Sequence, residues 1–156
     1  TRYISVTGVQ TCALPICSWT PGSTPAAWIY KTPTTVDLTG LLSGKTITDF
    51  SVSANSNCVI ANDRAYCVGA SGQRGDGGTG RTKTYVAVDD GNGIFLNNKI
   101  DTIIGGAQRV CATTMGKIYC WGANNVGQVG DGTTDSPKRL PSEAIFLRPK
   151  NNQYTY

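Results

Sequence analysis

The chain has 156 residues, 14 basic and 10 acidic, a net charge of +4, no histidine, 39% hydrophobic and 15% charged residues. That much apolar material with so little charge excludes a disordered tail, and the length holds one domain or part of one. The missing histidine excludes Ser-His-Asp and Cys-His catalysis and removes the commonest transition-metal ligand, while a charge of +4 without a Lys/Arg run is too dilute for nucleic-acid or membrane-surface binding.

The composition, with 19 Gly, 7 Pro and 7 Tyr, predicts short strands joined by many tight turns rather than a helix bundle. Taken in chain order, the first segment stands apart. Residues Val6 to Ile16 back-translate in a single frame to a common DNA sequencing-library adapter, and the junction falls at Cys17. Residues 1–16 are therefore read as artefactual and left out of fold reasoning, as a tag would be. The alternative is a genuine small strand carrying a Cys12 and Cys17 pair. Thr1 is not an initiator methionine, so the natural start is expected to lie upstream. Next comes a Pro-rich stretch in which Trp19, Trp28 and Tyr30 are the expected exposed aromatics and the best candidates for an interface.

From residue 45 the sequence repeats itself. Cys58 with Cys67 and Cys111 with Cys120 are both C-x8-C pairs, and each cysteine recurs after a step of 53 residues. A glycine turn follows each pair: Gly75-Asp76-Gly77 closes the first and Gly130-Asp131-Gly132 the second, each preceded by Gly-Gln-x. Ile94-Phe95-Leu96 is matched by Ile145-Phe146-Leu147. A period of about 50 residues points to a propeller or solenoid. Within one unit the apolar runs are short: Ile47, Phe50 and Val52, then Val59 and Ile60, then Ala65, Tyr66 and Val68. They read as strands. Asn62-Asp63 and Met115-Gly116-Lys117 lie midway between the paired cysteines and suit hairpin reversals, which would set the two cysteines of each pair opposite each other and within disulfide reach. The alternative is one four-cysteine zinc site, against which stand the lack of C-x2-C knuckles and the separation of the pairs. Paired, periodic cysteines argue for an oxidising compartment. Cys17 is expected to be the second cysteine of a preceding unit.

The run Tyr119-Cys-Trp-Gly-Ala-Asn-Asn-Val-Gly-Gln-Val-Gly-Asp-Gly-Thr-Thr134, followed by Ser136-Pro137, resembles the regulator of chromosome condensation repeat family in its cysteine-bearing bacterial form. The unit at Tyr66 to Gly77 departs from it, with Val68 where the family has Trp and two residues deleted, and the leading unit at Cys17-Ser-Trp19 departs further. The resemblance implies an all-β chain: a partial β-propeller of about three four-stranded antiparallel blades over residues 17–156, truncated at both ends and completed by the remaining blades of the same ring. Open edges left by an incomplete ring imply marginal stability or aggregation of the chain by itself.

Other features have plainer readings. Arg74-Gly75-Asp76 matches a tripeptide read by adhesion receptors, but its counterpart is Val129-Gly130-Asp131, so the repeat's own turn accounts for it. Gly69 to Thr82 lacks the Gly-Lys-Ser/Thr ending of a phosphate loop. Asp76, Asp89, Asp90 and Asp131 are expected to be solvated turn carboxylates rather than an acid–base pair or calcium ligands. Trp121 is expected to pack between blades. No catalytic, cofactor or metal residue is assigned. The expected function is a non-catalytic binding module, extracellular or at the cell surface, recognising a protein or surface polysaccharide through propeller loops, with no membrane span and no nucleic-acid partner. The alternatives are a guanine-nucleotide-exchange or chromatin-type regulator and a carboxylate-based hydrolase.

Overall fold

The computed structural model describes residues 38–145, preceded by the backbone pairing of two short strands, β1 (Thr11–Cys12) with β2 (Thr34–Thr35). Two four-stranded antiparallel sheets follow. Blade 1 is β3 (Ile47–Val52), β4 (Ser56–Ala61), β5 (Arg64–Gly69) and β6 (Val86–Ala87); blade 2 is β7 (Thr102–Gly105), β8 (Arg109–Thr114), β9 (Lys117–Gly122) and β10 (Lys138–Glu143). In each, strands adjacent in the chain are adjacent in the sheet, the meander of a propeller blade. The all-β expectation therefore holds, with two blades among the described residues. The leading unit, with Cys17, lies outside them.

The central hairpins reverse over two residues. Asn62 and Asp63 take φ of 46° and 63°, Met115 and Gly116 take 54° and 72°, and Lys117 already begins β9. Two successive positive φ values match the right-handed twist of the flanking strands. Asn62 suits the position and also accepts the Thr46 N–H on its Oδ1 at 2.9 Å.

Because side chains alternate across a strand, each blade has two distinct faces. In blade 1 the cross-strand row Ser51, Cys58, Cys67, Val86 lies on one face and Phe50, Val59, Tyr66, Ala87 on the other. In blade 2 the matching rows are Ile104, Cys111, Cys120, Ser142 and Ile103, Ala112, Tyr119, Glu143. The principal core joins the cysteine face of blade 1 to the tyrosine face of blade 2, burying Cys58, Ile60, Ala65, Cys67, Ile103, Val110, Ala112, Tyr119 and Trp121 together. A second cluster of Leu42, Val59, Ala61 and Tyr66 covers the other face of blade 1.

The first strands of the two blades are tied directly. Asp49 accepts the Ile103 N–H on Oδ2 at 3.2 Å, Ser51 Oγ accepts the Gly105 N–H, and the Ala54 N–H donates to the Ala107 carbonyl at 3.0 Å. Ile94-Phe95-Leu96 is not a strand but a helical turn, α1 (Ile94–Asn97), entered through Gly93 at φ 79°. Its buried Phe95 meets Tyr119 and Trp121 edge-on at 5.6 and 5.8 Å. Leu42 takes the same place 53 residues earlier, in a 3-10 turn spanning Gly40–Leu42 that starts on Gly40 at φ 69°. Phe146 and Leu147, the matching pair in sequence, lie outside the described residues.

Candidate functional site

Most of the features that set this repeat apart gather at the seam between the blades, and the second disulfide lies on the opposite face of blade 2. Cys58 and Cys67 are directly opposite in the β4–β5 ladder, and so are Cys111 and Cys120 in the β8–β9 ladder; each pair is disulfide-bonded. The Cys58–Cys67 bridge is wholly buried against blade 2. With all four sulfurs in covalent bonds, no thiolate is left for a four-cysteine zinc site, and no group of three or more Cys, Asp, Glu or His gathers elsewhere among the described residues.

Trp121 is the largest side chain with no exposed surface. Strand alternation turns it from β9 toward blade 1, where its indole lies on the turn after β5. Its Nε1–H donates to the Gln73 carbonyl at 3.0 Å. The indole can approach so closely because residue 75 is glycine: a Cβ there would stand 2.9 Å from Val88 and 3.0 Å from the indole, at a φ of 74°. Gln73 is held in turn by Ser53 and Ser56, whose hydroxyls reach its Oε1 at 2.6 and 3.2 Å. All three polar side chains are buried and satisfied. Sequence reasoning passed over Gln73, Ser53 and Ser56, although the recurrence of Gly-Gln at 72–73 and 127–128 was a signal that the turn carries more than glycine flexibility.

The two turns share a skeleton but stabilise it differently. The Gly75 carbonyl accepts the Asp89 N–H and the Gly130 carbonyl accepts the Ile145 N–H, both at 2.8 Å. In the first turn Arg74 is buried, gripping Asp76 through Nε at 3.2 Å and Nη2 at 3.0 Å and donating Nη1 to the Gly80 carbonyl. Gly78 leaves room for that guanidinium. The Arg-Gly-Asp triplet is thus folded on itself and not offered to solvent. In the longer second turn the fully buried Asn124 does the equivalent work, donating Nδ2 to the Thr133 carbonyl at 3.0 Å and accepting the Val129 N–H at 2.9 Å.

The carboxylates expected to be solvated are mostly structural. Asp131 pairs with Lys138 at 2.9 Å and accepts from the Thr133 N–H and hydroxyl. Burial pushes its carboxyl up, but the hydrogen bonds from Lys138 and Thr133 outweigh that and hold it down at about 2. Asp90 is buried and accepts the Phe95 N–H at 3.2 Å, and Asp89 accepts the Gly91 N–H at 2.9 Å. Asp76 likewise accepts the Gly78 N–H at 3.1 Å, so each of these carboxylates is engaged in holding a turn. Trp19, Trp28 and Tyr30 lie outside the described residues. The exposed apolar side chains within them include Leu41, Phe50, Ile104, Met115 and Val126.

Residues 115–151 match the Regulator of chromosome condensation (RCC1) repeat. Over 44 residues, 28% of this chain, the sequence is 49% identical to the E3 ubiquitin-protein ligase HERC2 of Homo sapiens, and equally to that of Mus musculus; the chain spans about 1% of those relatives' length. Human WBSCR16 superposes with a TM-score of 0.63 at 15% identity, covering 79% of this chain and 31% of that one. Prp20p of Saccharomyces cerevisiae superposes with a TM-score of 0.60 at 16% identity, covering 85% of this chain and 32% of its own. The structural likenesses, at such identities, establish the fold. Together with the matched repeat and the two stapled meanders, they make this chain a partial β-propeller that resembles the regulator of chromosome condensation repeat family.

Proposed function

We propose that the chain is part of a non-catalytic binding propeller, exported to an oxidising compartment, that recognises a protein or surface polysaccharide through loops at the rim of the ring, with the remaining blades of that ring completing the surface. The observation that carries this reading is the pair of disulfides across the central hairpins of both blades: such bridges persist outside the reducing cytosol. The buried Arg74–Asp76 and Gln73–Trp121 contacts support it, since they spend the polar groups of the seam on rigidity. Residues 17–156 form the repeat domain in this reading and residues 1–16 are adapter-derived, which sequencing of unprocessed genomic DNA would test. Alkylation of the protein taken directly from its source, followed by mass spectrometry, is expected to find Cys58, Cys67, Cys111 and Cys120 unmodified; free thiols at both pairs would overturn the exported assignment.

A second reading is favoured by the fold alone. Prp20p is described together with binding to Gsp1p and histones. In this reading the chain is part of a guanine-nucleotide-exchange or chromatin-type regulator, and a nucleotide-release assay on the full-length protein separates the two readings.

A further inference from the structure

The loop that leads from β6 into α1 runs Asp89-Asp90-Gly91-Asn92-Gly93, and Asn92 is the one asparagine of the chain that precedes a glycine. Its side chain is exposed. Neither its amide nor the Gly93 N–H takes part in a hydrogen bond among the described residues, whereas the side chains of the neighbouring Asp89, Asp90 and Asn98 are each engaged. Gly93 has no Cβ to shield its backbone nitrogen and already sits in left-handed space at φ 79°, with Gly91 before it at φ 77°. An exposed side-chain amide without a hydrogen bond therefore stands next to a backbone nitrogen that has none either, between two glycines that let the chain rearrange.

We propose that Asn92 is a site of spontaneous deamidation. The deprotonated Gly93 nitrogen attacks Cγ of Asn92, a C–N bond forms, and the side-chain nitrogen leaves as ammonia. Water then opens the resulting succinimide at either carbonyl, giving aspartate or the isoaspartyl linkage, in which the main chain runs through Cβ and Cγ. The only co-reactant is water.

The position makes the product consequential. Asp90, two residues before Asn92, anchors the Phe95 N–H, and Phe95 is the buried ring that α1 inserts against Tyr119 and Trp121. An isoaspartyl linkage lengthens the main chain by one atom between that anchor and that ring, so the modified loop cannot keep both contacts in place. The lesion thereby loosens the seam between the blades, whereas the plain aspartate product, an added charge on an exposed side chain, leaves it intact.

The test incubates the intact 156-residue chain in mildly alkaline buffer and follows each asparagine by peptide mass spectrometry, with enzymatic methylation by an isoaspartyl methyltransferase to count the isoaspartyl fraction. Asn92 is expected to convert at least about tenfold faster than Asn97, Asn98 or Asn124 of the same sample. Conversion no faster than theirs would overturn the site assignment. Asn92→Gln should remove the methylatable product, and a chain that still accumulates it at the same rate would also overturn the assignment. Asn92→Asp separates the charge from the backbone change: it should melt like the fresh protein while the isoaspartyl fraction melts earlier. Equal melting of the two modified forms would overturn the proposed effect on the seam.

Discussion

Trp121 and Gly75 are two halves of one contact. The indole needs the missing Cβ, and the missing Cβ would leave a void without the indole. Trp121→Phe should lose the hydrogen bond to the Gln73 carbonyl and part of the packing, about 1–3 kcal/mol in denaturant unfolding. Gly75→Ala meets both a crowded site and a positive φ and should cost about 3 kcal/mol, whereas Gly130→Ala, which meets only Ala144 at 3.6 Å, should cost about 1 kcal/mol for its backbone conformation. Equal effects at the two glycines would refute the seating of the indole on the first turn. Asp131 makes a separate prediction. Its carboxyl is held at about 2 in the folded chain against 3.8 ordinarily, so the folded state binds that proton less tightly than the unfolded state. Its contribution is complete above the ordinary value and is lost as pH falls toward about 2. Melting temperatures recorded across that acid range should fall more steeply for the native chain than for Asp131→Asn.

At the scale of elements, each blade is a meander whose central hairpin is closed twice, by its turn and by its disulfide. Replacing Cys111 and Cys120 together by serine releases a short loop in the unfolded chain and should lower stability by about 2–3 kcal/mol. A change within error would mean that the ladder alone already restricts that loop. The one-turn elements before β3 and β7 are the other repeated device. Leu42 and Phe95 each plug the tyrosine face of their own blade, so Leu42→Ala and Phe95→Ala should cost about 2–5 kcal/mol each, measured by thermal or denaturant unfolding. These turns were hard to see in advance because a single helical turn carries too few residues for a 3.6 period to emerge. Ile94-Phe95-Leu96 was legible as a repeated motif, but its conformation was not. Gly40-Leu41-Leu42 shares only glycine and one bulky apolar residue with it, and only the equivalent placement of Leu42 and Phe95 reveals the correspondence.

For the whole molecule, the main core belongs to neither blade. It forms where the cysteine face of blade 1 meets the tyrosine face of blade 2. Blade 2 has a cysteine face of its own, on which Ile104 is 66% exposed. Among the described residues Ile104 presents an apolar side chain there, which should drive self-association of the isolated chain. Sedimentation at rising concentration should show that association, and Ile104→Lys should reduce it; a chain that stays monomeric at all concentrations would show that this face is otherwise covered.

The strand-rich class, the two cysteine hairpins, the repeat and the family resemblance were legible in the order of residues, because each rests on local spacing: alternation, turn residues, and a period that survives without knowledge of the partner strand. What those residues touch emerges from the packed fold. Arg74 read as part of the repeat's glycine turn and is a buried clamp; Asp76, Asp90 and Asp131 read as solvated and hold turns; Gln73 recurs only as part of the Gly-Gln pair, and its carbonyl receives the Trp121 indole N–H. The physical reason is the same in each case. Burial and hydrogen-bond partners are set by contacts between segments about 50 residues apart, and spacing along one segment holds no record of what packs against it from another.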